Sequence, residues 1–108
     1  MRIGNDITYI PRFEKLMENR QFIENVFHAT ECREYNPEHL AGIFAAKEAF
    51  FKAIDRKPDW LKVEIRKQKT GRPMIITSIE GIEPLDVSIS HDKDYALATV
   101  LVKESRGR

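Results

Sequence analysis

The segment that most restricts how this chain can fold is Asn36–Ile54, "NPEHLAGIFAAKEAFFKAI". Asn36 is a candidate cap, Pro37 suits a first helical turn and Glu38 meets the positive end of the dipole, so a helix is predicted from here. At about 100° per residue, Leu40, Ile43, Phe44, Phe50, Phe51 and Ile54 form one broad stripe. Ala45, Ala46, Ala49 and Ala53 form a second face, small enough to admit another element at close range. A helix with two apolar faces belongs inside the protein. Yet this one carries Lys47, Glu48 and Lys52, with Lys47 directed into the large stripe and the other two at the seam. Gly42 costs about 1 kcal/mol against alanine, which points to a close packing or ligand contact. Pro58 is expected to close the helix.

The rest of the chain is arranged around that helix. Ile3 to Tyr9 reads as an opening strand ended by Pro11, and "PRFEKLMENR" and "QFIENVFHATECREY" read as helical. After Pro58 the period changes. "WLKVEIRK" alternates as a half-exposed strand, "KTGRP" is a turn, "MIITSI" is a second strand and "EGIEP" a second turn. "LDVSISH" and "YALATVLV" are then predicted to pair as a hairpin across "DKD". Helices first and antiparallel strands last, with an early strand to join the sheet, make an α+β domain with helices packed on a mainly antiparallel sheet.

The 108 residues allow one domain, placed at 1–103, with a basic tail at 104–108. A hydrophobic share of 42% and a charged share of 32% are those of a soluble globular protein. A net charge of +1 gives no case for nucleic acid. Cys32 is the one cysteine, which suits a reducing compartment, and no apolar run approaches a membrane span. The expected place is the cytoplasm.

Glu48 and Lys52 could be an ordinary i,i+4 pair worth roughly 0.2–0.5 kcal/mol. Charges flanked by phenylalanines and alanines usually have a partner, however, and a carboxylate beside an amine could hold a metal ion and a phosphate. Asp6 sits in the apolar opening strand, either as a turn former beside Gly4 or as a second carboxylate for the same cation. Two oxygen ligands with room for water and phosphate describe Mg²⁺ better than zinc, and His28, His39 and His91 lack zinc-ligand spacing. In "SISHDKDY", Ser88 and Ser90 share a strand face and His91 falls at the strand end. No G-x-S-x-G elbow, G-x-G-x-x-G or phosphate-binding P-loop is present.

Four pieces, in order, resemble the 4′-phosphopantetheinyl transferases of the small bacterial holo-acyl-carrier-protein synthase type. They are "GNDI" at Gly4–Ile7, "LAGIFAAKEAFFKAI" at Leu40–Ile54, "VEIRKQKTGRPMI" at Val63–Ile75 and "VSISHDKDYALATV" at Val87–Val100. The resemblance implies transfer of the phosphopantetheine arm of coenzyme A to a serine of an acyl carrier protein, with release of 3′,5′-adenosine bisphosphate. It implies that Asp6 and Glu48 hold Mg²⁺, that Lys52 contacts phosphates and that Glu48 is a candidate base. Ser90 and His91 match a nucleotide-phosphate contact, and Lys47 matches the lysine of the family's K-E pair, grouped here with the coenzyme-binding residues. Arg12 matches a docking arginine for the acidic carrier, with Lys15 and Arg20 on the same predicted segment. The family's small members are homotrimers with sites between subunits.

The chain departs from the family at Ile43, where an arginine that contacts phosphate usually follows "AG". Either part of the coenzyme A clamp is missing, or a replacement such as Lys47 or Arg56 supplies it. The glycine-rich loop after the helix is replaced by the shorter "DRKPD", and the stretch from Tyr35 to Leu40 is also short. A different class of function, a non-catalytic module that binds carrier protein or nucleotide, is the alternative that these departures suggest.

Overall fold

A computed structural model describes residues 1–105. Strand β1 (Arg2–Tyr9) leads into two short helices, α1 (Arg12–Leu16) and α2 (Arg20–Val26), and a 3-10 helix, Ala29–Cys32. The long α3 (Pro37–Ile54) follows, then β2 (Val63–Lys67), β3 (Pro73–Thr77), β4 (Ile82–Asp92) and β5 (Tyr95–Glu104). The strands form two antiparallel sheets, one ordered β1-β5-β4 and one of β2 and β3. This is the α+β architecture expected from the sequence.

Helix α3 forms as its sequence dictates. The Asn36 side chain accepts from the His39 amide at 2.8 Å, and Pro37 fills the first turn. Its end differs from expectation, because Asp55 adopts a left-handed conformation and stops the helix before Pro58 is reached. The segment expected to be one helix from Pro11 to Arg20 breaks after Leu16, and Asn19 caps α2 through the Phe22 amide. The "EGIEP" stretch is a turn only at its start. Ile82 to Pro84 already belong to β4, which carries a bulge between Pro84 and Asp86. Arg72 in the β2–β3 turn clamps that bulge, with both Asp86 oxygens within 2.9 Å.

The inner face of the three-stranded sheet packs on α3 through small residues. Gly4 lies so close that a Cβ there would overlap the carbonyl oxygen of Ala49 and approach the Ala53 nitrogen to 2.9 Å. Ala96, Ala98 and Val100 of β5 are fully buried beside it. The alanine face of α3 therefore does admit another element, and that element is the sheet. On its other side α3 meets an aromatic cluster in which Phe44 lies 5.1 Å from Trp60 and 5.6 Å from Phe13. Strand β5 runs through Glu104, and the Ser105 amide still donates to Gly81, so the expected tail is strand at its first residue. Residues 106–108 of that tail lie outside the described residues.

The outer face of the same sheet is apolar and open. Ile7 pairs with Leu97 across β1 and β5 and Tyr9 with Tyr95, while Asn5 bonds Thr99 between the Ile3 and Ile7 pairs. Ile3 and Ile7 are 67% and 61% exposed.

Candidate functional site

Asp6, Glu48 and Lys52 come together where β1 crosses α3. Strand alternation turns Gly4, Asp6 and Thr8 toward the helix, which buries the Asp6 carboxylate. Lys52 donates to Asp6 Oδ1 at 2.7 Å and to the Asn5 carbonyl at 3.3 Å, and Thr8 donates to Asp6 Oδ2 at 3.3 Å. Glu48 lies one turn before Lys52 on the same side of α3. Burial pushes its carboxyl above the ordinary glutamate range, and the Asp6 charge pushes it further, against a smaller pull from Lys52 and Arg12. The Lys52 ammonium is held above its ordinary range, first by its hydrogen bond to Asp6.

Two carboxylates whose charges repel at a half-buried seam are a fitting donor set for a hard divalent cation, with the remaining positions left to water and substrate oxygens. Among the described residues no group of three or more His, Cys, Asp or Glu side chains forms a metal site by itself.

His91 lies apart from this cluster, at the other end of α3's path across the sheet. Its ring stands over Gly42, where an added Cβ would meet His91 Nε2 at 2.9 Å. The close packing expected at Gly42 is with this histidine. Gly42 and Glu48 are six residues apart, about 9 Å along the helix axis. His91 and Gly42 open onto a cleft of about 750 Å³ that Ile43, Arg33, Arg66 and Lys67 also line. That volume suits a nucleotide-sized ligand. Ser90 points to the opposite, outer face of β4, opposite Leu97. A single chain therefore does not bring Ser90 and His91 to one side.

Lys47 differs most from its expectation as a coenzyme-binding residue. It is 0% exposed, paired with buried Glu31 at 2.8 Å and bonded to the carbonyls of Val26 and Trp60. With its donors engaged inside the core, the ammonium does not face the cleft. Nor does Arg56 line this cleft in place of an arginine at position 43, because it borders a different depression, with Phe51 and Lys62. The cations that line the cleft beside Ile43 are Arg33, Arg66 and Lys67. The last two are engaged by Glu64 and Glu34. Sequence reasoning missed these residues and Glu31. One signal was available: His28 and Glu31 stand three apart, and they form a capping box where a continuous helix was expected.

Arg12, Lys15 and Arg20 are all exposed, but they do not share a helix. Arg12 opens α1 near enough to Glu48 for its charge to act there, whereas Arg20 opens α2.

These features define a protein that presents two carboxylates and a lysine at one point along α3, and a cleft of nucleotide size roughly two turns away along the same helix. A family model described as the 4′-phosphopantetheinyl transferase superfamily matches residues 2–100. A holo-[acyl-carrier-protein] synthase of Bacillus thuringiensis is 36% identical over 115 residues, covering 95% of each chain. The crystal structure of Helicobacter pylori holo-[acyl-carrier-protein] synthase in complex with coenzyme A superposes with a TM-score of 0.84 at 34% identity. It covers 94% of this chain and 99% of the other. A Bacillus anthracis holo-(acyl-carrier-protein) synthase in complex with CoA (3′,5′-ADP) gives 0.80 at 35%, covering 97% and 96%. The chain belongs to the 4′-phosphopantetheinyl transferase superfamily.

Proposed function

We propose that this protein transfers the 4′-phosphopantetheine arm of coenzyme A to a serine of an apo acyl carrier protein, releasing 3′,5′-adenosine bisphosphate. The observation that carries the reading is the convergence of Asp6, Glu48 and Lys52 at the crossing of β1 and α3. Relatives with this fold are holo-acyl-carrier-protein synthases, among them the Helicobacter pylori and Bacillus anthracis proteins in complexes with coenzyme A or its nucleotide part.

Phosphoryl transfer asks a protein for positioning and charge neutralisation more than for covalent chemistry. Asp6 and Glu48 would hold Mg²⁺, which would supply neutralisation of the negative charge on coenzyme A during transfer. Lys52, 59% exposed at its side chain, moves from Asp6 to a phosphate oxygen and stabilises charge as the anhydride breaks. Glu48 accepts the proton of the carrier serine, directly or through water. His91 contacts the nucleotide end from the cleft.

The assembly is a homotrimer with sites between subunits. The open apolar face of Ile3, Ile7, Tyr9, Tyr95 and Leu97 supports it, since such a face on a small domain marks an interaction surface. A neighbouring copy would also bring Ser90, on that outer side, toward another chain's site. The acidic carrier docks near Arg12, with Lys15 and Arg20 exposed alongside. No helix among the described residues is long and apolar enough to cross a membrane, and the reading places the protein in the cytoplasm, serving fatty acid biosynthesis.

Incubation with coenzyme A, Mg²⁺ and apo-carrier should add the mass of the arm to the carrier. Calorimetric binding of coenzyme A with no modified carrier would favour a non-catalytic module, the reading that Ile43 on the cleft wall supports.

A further inference from the structure

Glu31 and Lys47 are buried charged side chains with no part in the transfer chemistry above. Lys47 Nζ lies 2.8 Å from Glu31 Oε1 and donates to the carbonyls of Val26 at 2.6 Å and Trp60 at 3.2 Å. Glu31 Oε1 accepts from the His28 amide at 2.8 Å, and Oε2 from the Ile65 amide at 2.7 Å. One ion pair thus joins the end of α2, the 3-10 helix Ala29–Cys32, the middle of α3, the Trp60 turn and β2.

Stability alone does not explain a charge at position 47. The ammonium sits 5.6 Å from the Phe27 ring centroid, in a core where an apolar side chain of similar length would pack. Replacing a buried ion pair by well-packed apolar groups is often neutral or stabilising. The pair's distinctive property is direction, because five bonds with fixed donors and acceptors hold five segments in one register. Those segments border both halves of the site. Glu31 and Ile65 line the cleft, and the residue after Lys47 is the carboxylate that faces Asp6.

We propose that Glu31 and Lys47 are positioning residues for the transfer site. The pair sets the rotation of α3 that presents Glu48 to Asp6, and it holds the β2 wall of the cleft against the same helical turn. The proposal rests on the transfer reading for the site's purpose, and on the bonds above for the linkage between its halves.

The test compares wild type with Glu31→Gln/Lys47→Met, which keeps both stems and removes both charges. A second variant, Lys47→Arg, keeps the charge but alters its reach to the two carbonyls. Calorimetry measures coenzyme A binding and Mg²⁺ binding in its presence, and steady-state assays give kcat and KM. Mg²⁺ affinity should fall about tenfold in the double variant and about threefold in Lys47→Arg, as for residues that orient metal ligands. The rate kcat should fall with it while KM for the carrier holds. Variants that melt earlier yet bind Mg²⁺ and coenzyme A as wild type does would overturn the proposal. If the double variant does not fold, wild-type Mg²⁺ affinity in folded Lys47→Arg overturns it alone. A wild type that binds both ligands but modifies no carrier removes the transfer reading and leaves the affinity comparison to decide. A wild type that binds neither overturns the positioning role as well.

Discussion

Gly4 of β1 and Ala49 of α3 meet backbone to backbone, with no room for a side chain on the glycine. That contact sets how closely the strand bearing Asp6 approaches the helix bearing Glu48 and Lys52. Gly4→Ala should force the two elements apart, at a cost of about 3 kcal/mol by analogy with overpacked cores. Thermal unfolding measures the loss. Transfer activity per folded molecule should fall as well, since Asp6 is displaced with its strand.

Lys52→Ala should separate activity from stability. Its bond to Asp6 is short, but the side chain is 59% exposed, so solvent screening limits the pair to about 1 kcal/mol or less. The transfer rate should drop by at least about a hundredfold, as when one preorganised charge is removed from a developing oxyanion. Denaturant melts and mass-resolved transfer assays on the same preparation check both halves.

Glu48→Gln should raise the melting temperature of the protein in a chelator at neutral pH. Glu48 is pushed up by burial and then by Asp6, so folding favours its protonated form. Its contribution is favourable below the unfolded value and is lost as pH rises through the raised folded one. The glutamine variant escapes that loss. Added Mg²⁺ should stabilise wild type and leave the variant unchanged.

His39 gives a separate pH signature at the cleft. Burial lowers its pKa from 6.5, with Glu34 and Glu31 opposing and Lys67 assisting. Because the folded value is depressed, the unfolded chain takes up the proton first, and stability falls as pH drops below the unfolded value. From about pH 7.5 to about 5.5 the melting temperature of wild type should fall more than that of His39→Gln. Parallel curves would mean that His39 does not titrate differently on folding.

Much of this was legible in the sequence, for a specific reason. Asp6, Glu48 and Lys52 are charges in segments whose period is otherwise apolar, and the periods themselves place them on one strand and one helix. Lys47 was legible in direction but not in destination. A helical wheel aims it at the core, but its partner Glu31 lies sixteen residues earlier, in a stretch whose apolar spacing imitates a helix and which folds as a capped 3-10 turn. The early end of α3 was hidden because Asp55 takes a left-handed conformation more often found at glycine. The cleft joins residues from three separated stretches, so no local pattern announces it.

The most direct measurement is the mass of an apo acyl carrier protein after incubation with coenzyme A and this protein, in Mg²⁺ and in a chelator. Wild type in Mg²⁺ should leave the carrier heavier by one phosphopantetheine arm, and the carrier should stay unmodified in chelator or with Glu48→Ala. A carrier left unmodified by wild type in Mg²⁺, or modified equally well by Glu48→Ala, would contradict the transfer reading.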